Sequence, residues 1–391
     1  MTKMLSIMVV AGEASGDRHA AKLVRALREA EPQIAFDFFG AAGPNMRSEG
    51  VDPVVVADDL GIVGIAEIAA SLPVFIRAFR SLKKMAVERS PDAAILVDFP
   101  DFNLKLARWL KNKGFTVVYY ISPQLWAWRK HRVSSVRKYI DLMLTILPFE
   151  KEWYQRHGVD HVEYVGSPLA REVRAGTEKA EFCSAHGLDP EKPIVSLLPG
   201  SRGREIARIL PVMIAAASEI DRTREGVQFV IAAGSGKQTP EVRSIIETAA
   251  RSELLPRTLK IVENETYEAL NASNAAAITS GTATLEAAII GTPMAVVYKT
   301  SSINYKILAP MIDVEHYGLV NLIAGKRVAN EFIQDGLTPA SLSAELLRLL
   351  EPNKNATMRS ELRAVSDKLG HGGASKRAAS AILKLIDQKN G

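Results

Sequence analysis

The chain has 391 residues, of which 47% are hydrophobic and 24% are charged, and its formal net charge is +5. This length exceeds what one hydrophobic core usually serves, so two domains are expected. No apolar run reaches the roughly 18 residues needed to cross a bilayer, which argues against an integral membrane protein. The single cysteine, Cys183, excludes an intramolecular disulfide and a cysteine-based metal cluster, and it fits a reducing, cytoplasmic compartment.

The first half of the chain alternates strand-like apolar runs with helical patterns. Glu13 and Asp17 follow the first run at once, where a signal peptide would have small residues, so the N-terminus is predicted to be a strand. Helices are predicted near residues 18–29 and 102–113. The predicted strands are MLSIMVVA, IAFDFFG, DPVVVA, DAAILVD, FTVVYYI, LMLTIL and VEYVG. Continuous apolar strands that alternate with helices are typical of a parallel, doubly wound sheet.

The alternation stops and then starts again. Residues 167–192 are charged and carry no strand pattern, so they are predicted to connect two domains. The strands IVSLL, VQFVIAA, LKIV, AAAIT and PMAVVY follow, and the chain is helical from residue 340, with an amphipathic helix near 375–388. The predicted fold is α/β, with two Rossmann-like domains facing a cleft and C-terminal helices. The expected boundaries are 1–170, 171–350 and 351–391.

The loop after the first strand, GEASGD, is a candidate binding loop, because ligands of such sheets bind at the carboxyl ends of the strands. A turn with a helix N-cap would also explain its composition. The loop does not match G-x-G-x-x-G, and Glu13 would repel a pyrophosphate, which argues against a dinucleotide. A sugar hydroxyl suits this glutamate better. The expected substrate-binding residues of the loop are Gly12, Glu13, Ser15, Gly16 and Asp17.

The stretch DFPDFN, residues 98–103, follows the buried strand DAAILV. Asp101 is predicted to be the N-cap of the next helix. Asp98 stands where the strand meets the expected cleft, and a carboxylate there is either structural or functional. If burial shifts its pKa toward neutrality, Asp98 can act as a general base.

The stretch IVSLLPGSRGREIARIL, residues 194–210, predicts a strand, a tight turn and a helix N-terminus. Backbone N–H groups and the positive end of the helix dipole converge at such a turn. Arg202 adds a guanidinium beside them, so Gly200, Ser201 and Arg202 are expected to bind an anion. Arg202 could stabilise a departing diphosphate without a metal ion, and no metal-binding motif is visible.

The stretch SGTATLE, residues 280–286, repeats this arrangement of strand, small-residue turn and helix. A capping box accounts for part of the pattern. Together the two turns are consistent with a diphosphate bound at one of them and a ribose bound by Glu286. The expected substrate-binding residues of the second turn are Ser280, Gly281, Thr282 and Glu286.

Two basic stretches remain. Residues 61–84 are largely apolar and end in Arg77, Arg80, Lys83 and Lys84. They predict either a core helix with a solvated end or a segment that dips into a membrane interface. The stretch SPQLWAWRKHRV, residues 122–133, mixes two tryptophans with cations. One short patch of this kind is insufficient for nucleic-acid binding, and a phosphorylated or amphipathic acceptor fits it as well.

The motifs GEASGD, DFPDFN, SPQLWAWRKHRV, LPFE, LPGSRGREI and SGTATLEA, in this order, resemble those of the lipid-A-disaccharide synthase family. The resemblance implies a GT-B glycosyltransferase that needs no metal or cofactor and works at the cytoplasmic face of the inner membrane. It implies transfer of a diacylated glucosamine from UDP to the 6-hydroxyl of a diacylated glucosamine 1-phosphate. The partners would be these two lipids, the membrane surface and a second copy in a homodimer, and no nucleic acid.

The resemblance also implies roles for single residues. Asp98 and Arg202 would be catalytic, and Gln124 and Asn321 would bind substrate, the latter in the nucleotide site. This chain has Gly166-Ser167-Pro168 where the family usually has Gly-His-Pro. Two other functions remain open at the level of sequence: a UDP-sugar epimerase of the same fold, and a sugar-nucleotide or lipid-binding protein in which Asp98 is structural.

Overall fold

The computed structural model describes residues 4–57, 68–234, 238–301, 305 and 314–390. Its strands are β1 (Met4–Ala11), β2 (Ala35–Ala42), β3 (Asp52–Val56), β4 (Ala93–Val97), β5 (Val117–Tyr120), β6 (Leu142–Thr145), β7 (Val162–Tyr164), β8 (Ile194–Leu198), β9 (Gln228–Ala233), β10 (Leu259–Glu263), β11 (Ala275–Thr279), β12 (Met294–Tyr298) and β13 (Glu331–Ile333).

The helices are α1 (Ala14–Ala30), α2 (Pro44–Ser48), α3 (Ile68–Arg89), α4 (Pro100–Asn112), α5 (Val133–Tyr139), α6 (Glu150–Arg156), α7 (Leu169–Glu172), α8 (Lys179–His186), α9 (Gly203–Thr223), α10 (Thr239–Arg251), α11 (Thr266–Ala272), α12 (Ala283–Ile290), α13 (Leu319–Ala324), α14 (Pro339–Leu349), α15 (Pro352–Lys368) and α16 (Ala374–Asn390). None of the helices within the described ranges is long and apolar enough to cross a membrane.

The chain divides into two compact units, and each contains one parallel sheet. Within the described residues the strand order is β3-β2-β1-β4-β5-β6-β7 in the first sheet and β10-β9-β8-β11-β12-β13 in the second. In each sheet the first strand of the unit lies in the middle, with the strands that follow it directly in sequence on one side and the later strands on the other. The strand order therefore reverses between β1 and β4 in the first sheet and between β8 and β11 in the second. This is the arrangement of a doubly wound sheet, and the reversal opens a crevice at the carboxyl ends of those strands.

The central strands are buried on both faces because helices cover each side of the sheet. In the first unit, β4 is completely buried. One face packs against α1 and α16, and the other packs against α3 and α4. The alternation of apolar strands with helices in the sequence therefore predicted the fold correctly. The strand β13 was missed, because its three half-buried residues carry little apolar signal.

The domain boundaries differ from the expected ones at the C-terminus. The first unit comprises Met1–Pro168 and His371–Gly391, and the second comprises Leu169–Gly370. Residues 351–391 are therefore divided between the two units instead of forming a separate part. The physical reason is the apolar stripe of α16, whose Ala378, Ile382 and Ile386 are buried in the core of the first unit. The expected connection, residues 167–192, contains the short helices α7 and α8.

Candidate functional site

The first candidate site lies where the order of the first sheet reverses. The strands β1 and β4 are neighbours, and Ala11 pairs with Val97 at their carboxyl ends. The loop GEASGD follows β1, and the turn that contains Asp98 follows β4. Loops that the sequence separates by about eighty residues thus meet at the topological switch point, which is the usual ligand site of such sheets.

The turn at Asp98 has an unusual backbone. Asp98 and Phe99 both have left-handed φ angles, 47° and 50°, a conformation that costs non-glycine residues free energy. Two side chains support it: the Asn103 amide and the Tyr119 hydroxyl donate hydrogen bonds to the Asp98 carbonyl, at 2.8 and 2.6 Å. Both side chains are completely buried. The sequence alone did not single out Asn103 or Tyr119, because neither looks different from an ordinary core residue.

Gly12 is required by the same turn. A Cβ at Gly12 would lie 2.4 Å from the ring of Phe99, so no other residue fits while that ring keeps its place. The Phe99 ring also stacks on Phe102 at 5.5 Å and lies 6.1 Å from Phe75. The predicted binding residue Gly12 therefore acts on the site by leaving room for Phe99.

Burial, together with the nearby Glu13 carboxylate, raises the pKa of Asp98 from its usual 3.8 to about 6. A carboxylate with this pKa is ionised at neutral pH and is a stronger base than an ordinary aspartate. Glu13 itself is exposed and is the N-cap of α1. The structure thus brings together two of the predicted residues, Asp98 and Glu13.

Asp17 has a structural role that the sequence did not reveal. Its side chain is buried and accepts hydrogen bonds from the backbone N–H groups of Gly43, Asn45 and Met46, at 2.8–3.1 Å. These bonds fix the start of α2, and they direct the Asp17 carboxylate into the protein. Gly16 is buried beside β4, and Ser15 is half-buried in the first turn of α1.

Asp101 is not the N-cap that the sequence predicted. The N-cap of α4 is Phe99, and Asp101 lies in the first turn, where its carboxylate pairs with Arg129 and Arg132. Burial alone would raise its pKa, but the two guanidinium groups hold the pKa of Asp101 below its usual value. The basic stretch is thereby tied to the turn at Asp98. Gln124 in that stretch is exposed.

A buried glutamate supports the tryptophan-containing loop after β5. The Glu150 carboxylate accepts hydrogen bonds from the Trp126 indole at 3.1 Å and from the backbone N–H groups of Ile146 and Leu147. Burial raises the pKa of Glu150 to about 7. The motif LPFE, which had no assigned role, therefore anchors this loop.

The second candidate site lies at the switch point of the second sheet, where β8 and β11 are neighbours. Gly200 has a left-handed φ of 106°, which lets the chain turn sharply after β8. Arg202 is the N-cap of α9, and its side chain is 80% exposed, with Glu205 as an ion-pair partner at 3.0 Å. Ser201 is exposed beside it. The predicted strand, turn and helix N-terminus are confirmed, and the helix begins at Gly203.

Side chains join this turn to its neighbours. Gln238 donates to the Ser201 carbonyl at 2.7 Å and accepts from the N–H of Gly234, linking the turns after β8 and β9. In the turn after β11, the Ser280 hydroxyl donates to the Tyr317 carbonyl at 2.7 Å. Thr282 is the exposed N-cap of α12, Gly281 precedes it, and Glu286 lies half-buried in the first turn.

Asn321 is saturated by the protein itself. Its amide donates to the Ala329 carbonyl and the Glu331 carboxylate, and its oxygen accepts from the N–H groups of Val328 and Ala329. The side chain is completely buried and supports the protein's own backbone, and its predicted place in the nucleotide site stays a prediction. Glu331 in turn accepts from the N–H groups of Tyr317 and Gly318 and so fixes the start of α13.

No cluster of three or more metal-ligating side chains occurs within the described ranges.

Residues 7–385 match the family described as lipid-A-disaccharide synthetase. The chain is 42% identical over 388 residues to a lipid-A-disaccharide synthase of Syntrophus aciditrophicus, with 98% of each chain covered. It is 40% identical over 387 residues to that of Myxococcus xanthus, with 99% of each covered.

The chain belongs to the lipid-A-disaccharide synthase family. It is therefore a glycosyltransferase, and the family resemblance predicted from the sequence is confirmed.

Solved structures support the fold of this family member. A putative UDP-N-acetylglucosamine 2-epimerase from Listeria monocytogenes is 16% identical, with a TM-score of 0.64 and 98% of this chain and 97% of that one covered. The calicheamicin glycosyltransferase CalG4 is 14% identical, with a TM-score of 0.59 and both chains fully covered. At this identity the likeness shows the shared GT-B fold alone. The sequence relatives, in contrast, favour a synthase over the epimerase alternative.

Proposed function

We propose that the chain transfers a diacylated glucosamine from UDP to the 6-hydroxyl of a diacylated glucosamine 1-phosphate, with inversion at the anomeric carbon. The observation that carries this proposal is the position of Asp98, a half-buried carboxylate at the switch point of the first sheet whose pKa is raised to about 6. The reaction would form the β-1,6 bond of a lipid A disaccharide and release UDP.

In this reaction Asp98 takes the proton from the acceptor's 6-hydroxyl as the oxygen attacks. A sugar hydroxyl is a poor nucleophile unless a base is positioned beside it, and such a base typically contributes roughly 10²–10⁴-fold. Negative charge then grows on the β-phosphate of the leaving UDP. Arg202 and the N–H groups at the start of α9 stabilise that charge, and Glu286 binds the ribose.

Two of the expected binding residues act indirectly in this proposal. Asp17 holds the loop after β2, and Asn321 holds the segment at Tyr317 and Gly318, which lies beside the turn at Ser280. Glu13 keeps its expected place beside Asp98, where it can bind an acceptor hydroxyl.

Incubation with labelled UDP-diacylglucosamine, with and without the acceptor, tests the proposal. Transfer requires both substrates and releases one UDP for each disaccharide. An epimerase would convert the donor without an acceptor, and a binding protein would retain the donor unchanged. Either of these two results would contradict the proposed reaction.

We infer that α3 attaches the protein reversibly to a membrane, because both proposed substrates carry acyl chains. Residues 61–67 of the predicted segment lie outside the described residues, as do the side chains of residues 68–71. In the described part, Leu72 and Ile76 are 55% and 42% exposed, beside the exposed Arg77 and Arg80. Their opposite face packs on the core through Ala78, Leu82 and Ala86. One face of α3 thus packs as a core helix would, as one of the two predictions held, and the exposed face supports membrane attachment.

Two residues of the predicted segment 61–84, Phe75 and Lys83, make contacts within the protein instead. Phe75 packs in the aromatic cluster with Phe99 and Phe102, and the Lys83 ammonium lies 4.8 Å from the centre of the Trp109 ring. The sharper test is therefore Leu72→Ser with Ile76→Gln. We expect this variant to leave the vesicle fraction in a flotation assay and to keep its activity on detergent-dispersed substrate.

Val87→Ser is the matched control, since Val87 is 56% exposed on the same helix but lies about three turns from Ile76 and about four from Leu72. Vesicle binding that survives the double substitution would contradict attachment through α3. The inner membrane as its location and a homodimer as its assembly are further parts of this proposal.

A further inference from the structure

A basic groove lies between α4 and α5, on the first unit. Its volume is about 340 Å³, and four cations line it: Lys105, Arg108, Arg132 and Lys138. Asp101 is the acid in the lining, so the lining carries a net charge of +3 (four cations less one acid). A concave site with this excess of positive charge attracts an anion.

The cations are available to a ligand. Lys105, Arg108 and Lys138 are exposed and form no ion pair with a carboxylate within the described ranges, whereas Arg132 is held by Asp101. The side chains of Arg108 and Lys138 lie 5.9 and 5.5 Å from the centre of the Tyr139 ring. Arg108 and Lys138 thus converge from two helices on one aromatic floor.

The lining of the groove includes residues that follow the candidate catalytic residue closely in the chain. Pro100 and Asp101, two and three residues after Asp98, both line it. Ser135 lines the side formed by α5, and its hydroxyl can donate a hydrogen bond, whereas the Ser134 hydroxyl already donates to the His131 carbonyl at 2.8 Å. Guanidinium, ammonium and hydroxyl donors around one concavity are the groups that bind phosphate oxygens in proteins.

We propose that this groove binds the phosphate monoester of the acceptor, its 1-phosphate, and so orients the 6-hydroxyl toward Asp98. This inference rests on the proposed function. A phosphate monoester carries about −1.5 to −2 charges at neutral pH, against −1 for the phosphodiester of a phospholipid, and it fits a site with three cations in excess better. The second basic stretch of the sequence, residues 122–133, contributes Arg132 to this site and thereby acquires a role.

The test compares the acceptor with its dephosphorylated analogue, both dispersed in detergent. For the unmodified protein we expect loss of the phosphate to raise the acceptor KM roughly tenfold or more, the scale of charge-assisted hydrogen bonds. In the variant Lys105→Gln/Arg108→Gln the KM for the phosphorylated acceptor should rise by a similar factor. Removal of the phosphate should then have little further effect, because the two changes remove the same interaction.

Lys113→Gln/Lys151→Gln is the matched control, since it removes the same charge from exposed positions of the same unit outside the groove. It should keep the full effect of the phosphate on KM. A Lys105→Gln/Arg108→Gln protein that also keeps this effect overturns the proposal. If that protein instead loses binding to phosphatidylglycerol vesicles but not to phosphatidylcholine vesicles, the groove serves a phospholipid headgroup, and the proposal is again overturned.

Calorimetry with soluble glucosamine 1-phosphate separates the groove from the proposed reaction. Binding to the unmodified protein that disappears in Lys105→Gln/Arg108→Gln supports the phosphate site, even if no sugar transfer is detected. Transfer without any contribution of the phosphate to KM or to binding would leave the proposed function intact and contradict the groove's role.

Discussion

The turn after β4 and the turn after β8 each lie at the switch point of their own sheet, yet they present their key residues differently. Asp98 has a left-handed backbone, two buried donors on its carbonyl and a carboxyl group with a pKa of about 6. Arg202 has an extended backbone and a side chain that is 80% exposed, with Glu205 as its partner.

The difference follows from what each group would do in the proposed reaction. A base must have the right pKa and position before the substrate arrives, so the surrounding core has to hold it. An anion site obtains its geometry from backbone N–H groups, and a mobile cation can then close on the ligand. Changes around Asp98 should therefore alter proton transfer, whereas at the second turn the side chain of Arg202 itself should matter most.

The largest effect is expected for Asp98→Asn, which keeps the shape and removes the base. Turnover should fall by roughly 10²–10⁴-fold. In the unmodified protein, turnover should rise with pH, reach half of its maximum near pH 6 and level off above it, since only ionised Asp98 accepts a proton. Asp92→Asn, at the other end of β4, is the control: the Asp92 carboxylate accepts from the Ser6 N–H, a role that an amide oxygen can also fill. Near-normal turnover in a folded Asp98→Asn protein would mean that another residue is the base, and Glu13, which is exposed beside Asp98, would be the first candidate.

Arg202→Ala should have the next largest effect, a loss of roughly 10²-fold or more in turnover at saturating substrate. The charge that Arg202 stabilises develops in the transition state, so kcat should fall more than donor binding. Arg208→Ala removes a half-buried cation one to two turns further along α9 and should retain turnover. If Arg202→Ala weakens donor binding but leaves kcat unchanged, Arg202 binds the donor in the ground state and does not stabilise the transition state.

Tyr119→Phe tests the support of the first turn by removing only the hydroxyl that donates to the Asp98 carbonyl. We expect turnover to fall roughly tenfold, the scale of one buried hydrogen bond. The relaxed turn should expose Asp98, so the pH midpoint of turnover should move from about 6 toward the ordinary aspartate value. Tyr154→Phe removes a buried hydroxyl bonded to Ser122 and should leave the midpoint in place. An unchanged midpoint in Tyr119→Phe would limit that hydroxyl to a structural role.

The smallest effect concerns stability. Because the pKa of Asp98 is higher in the folded protein than the usual 3.8, folding favours the protonated carboxyl, and its ionisation costs stability. The protonated carboxyl therefore contributes to the free energy of unfolding fully below about pH 4, and this contribution is lost as the pH rises to about 6. The difference in the free energy of unfolding between Asp98→Asn and the unmodified protein, measured by urea unfolding, should thus shift by roughly 1–3 kcal/mol in favour of Asp98→Asn between these pH values. A difference that does not depend on pH would contradict the raised pKa.

The sequence was a good guide to the elements and a partial guide to the site. Apolar strands and their helices are local patterns, so twelve of the strands could be located, together with the turns at Gly200 and Ser280. Asp98 and Arg202 could be selected because a charge at the end of a buried strand or beside a helix N-terminus is a local signal. Asn103 and Tyr119 could not, since their role depends on a carbonyl that only the folded chain brings to them.

By itself the sequence determined the fold class, the family and the loops that carry the chemistry, because hydrophobic periodicity and short motifs are properties of neighbouring residues. The tertiary structure decided which strands are adjacent, and hence that GEASGD meets Asp98 at a switch point. It also decided that Asp17 and Asn321 hold backbone loops through their hydrogen bonds. Hydrogen-bond partners and burial depend on contacts between distant segments, which no local pattern records.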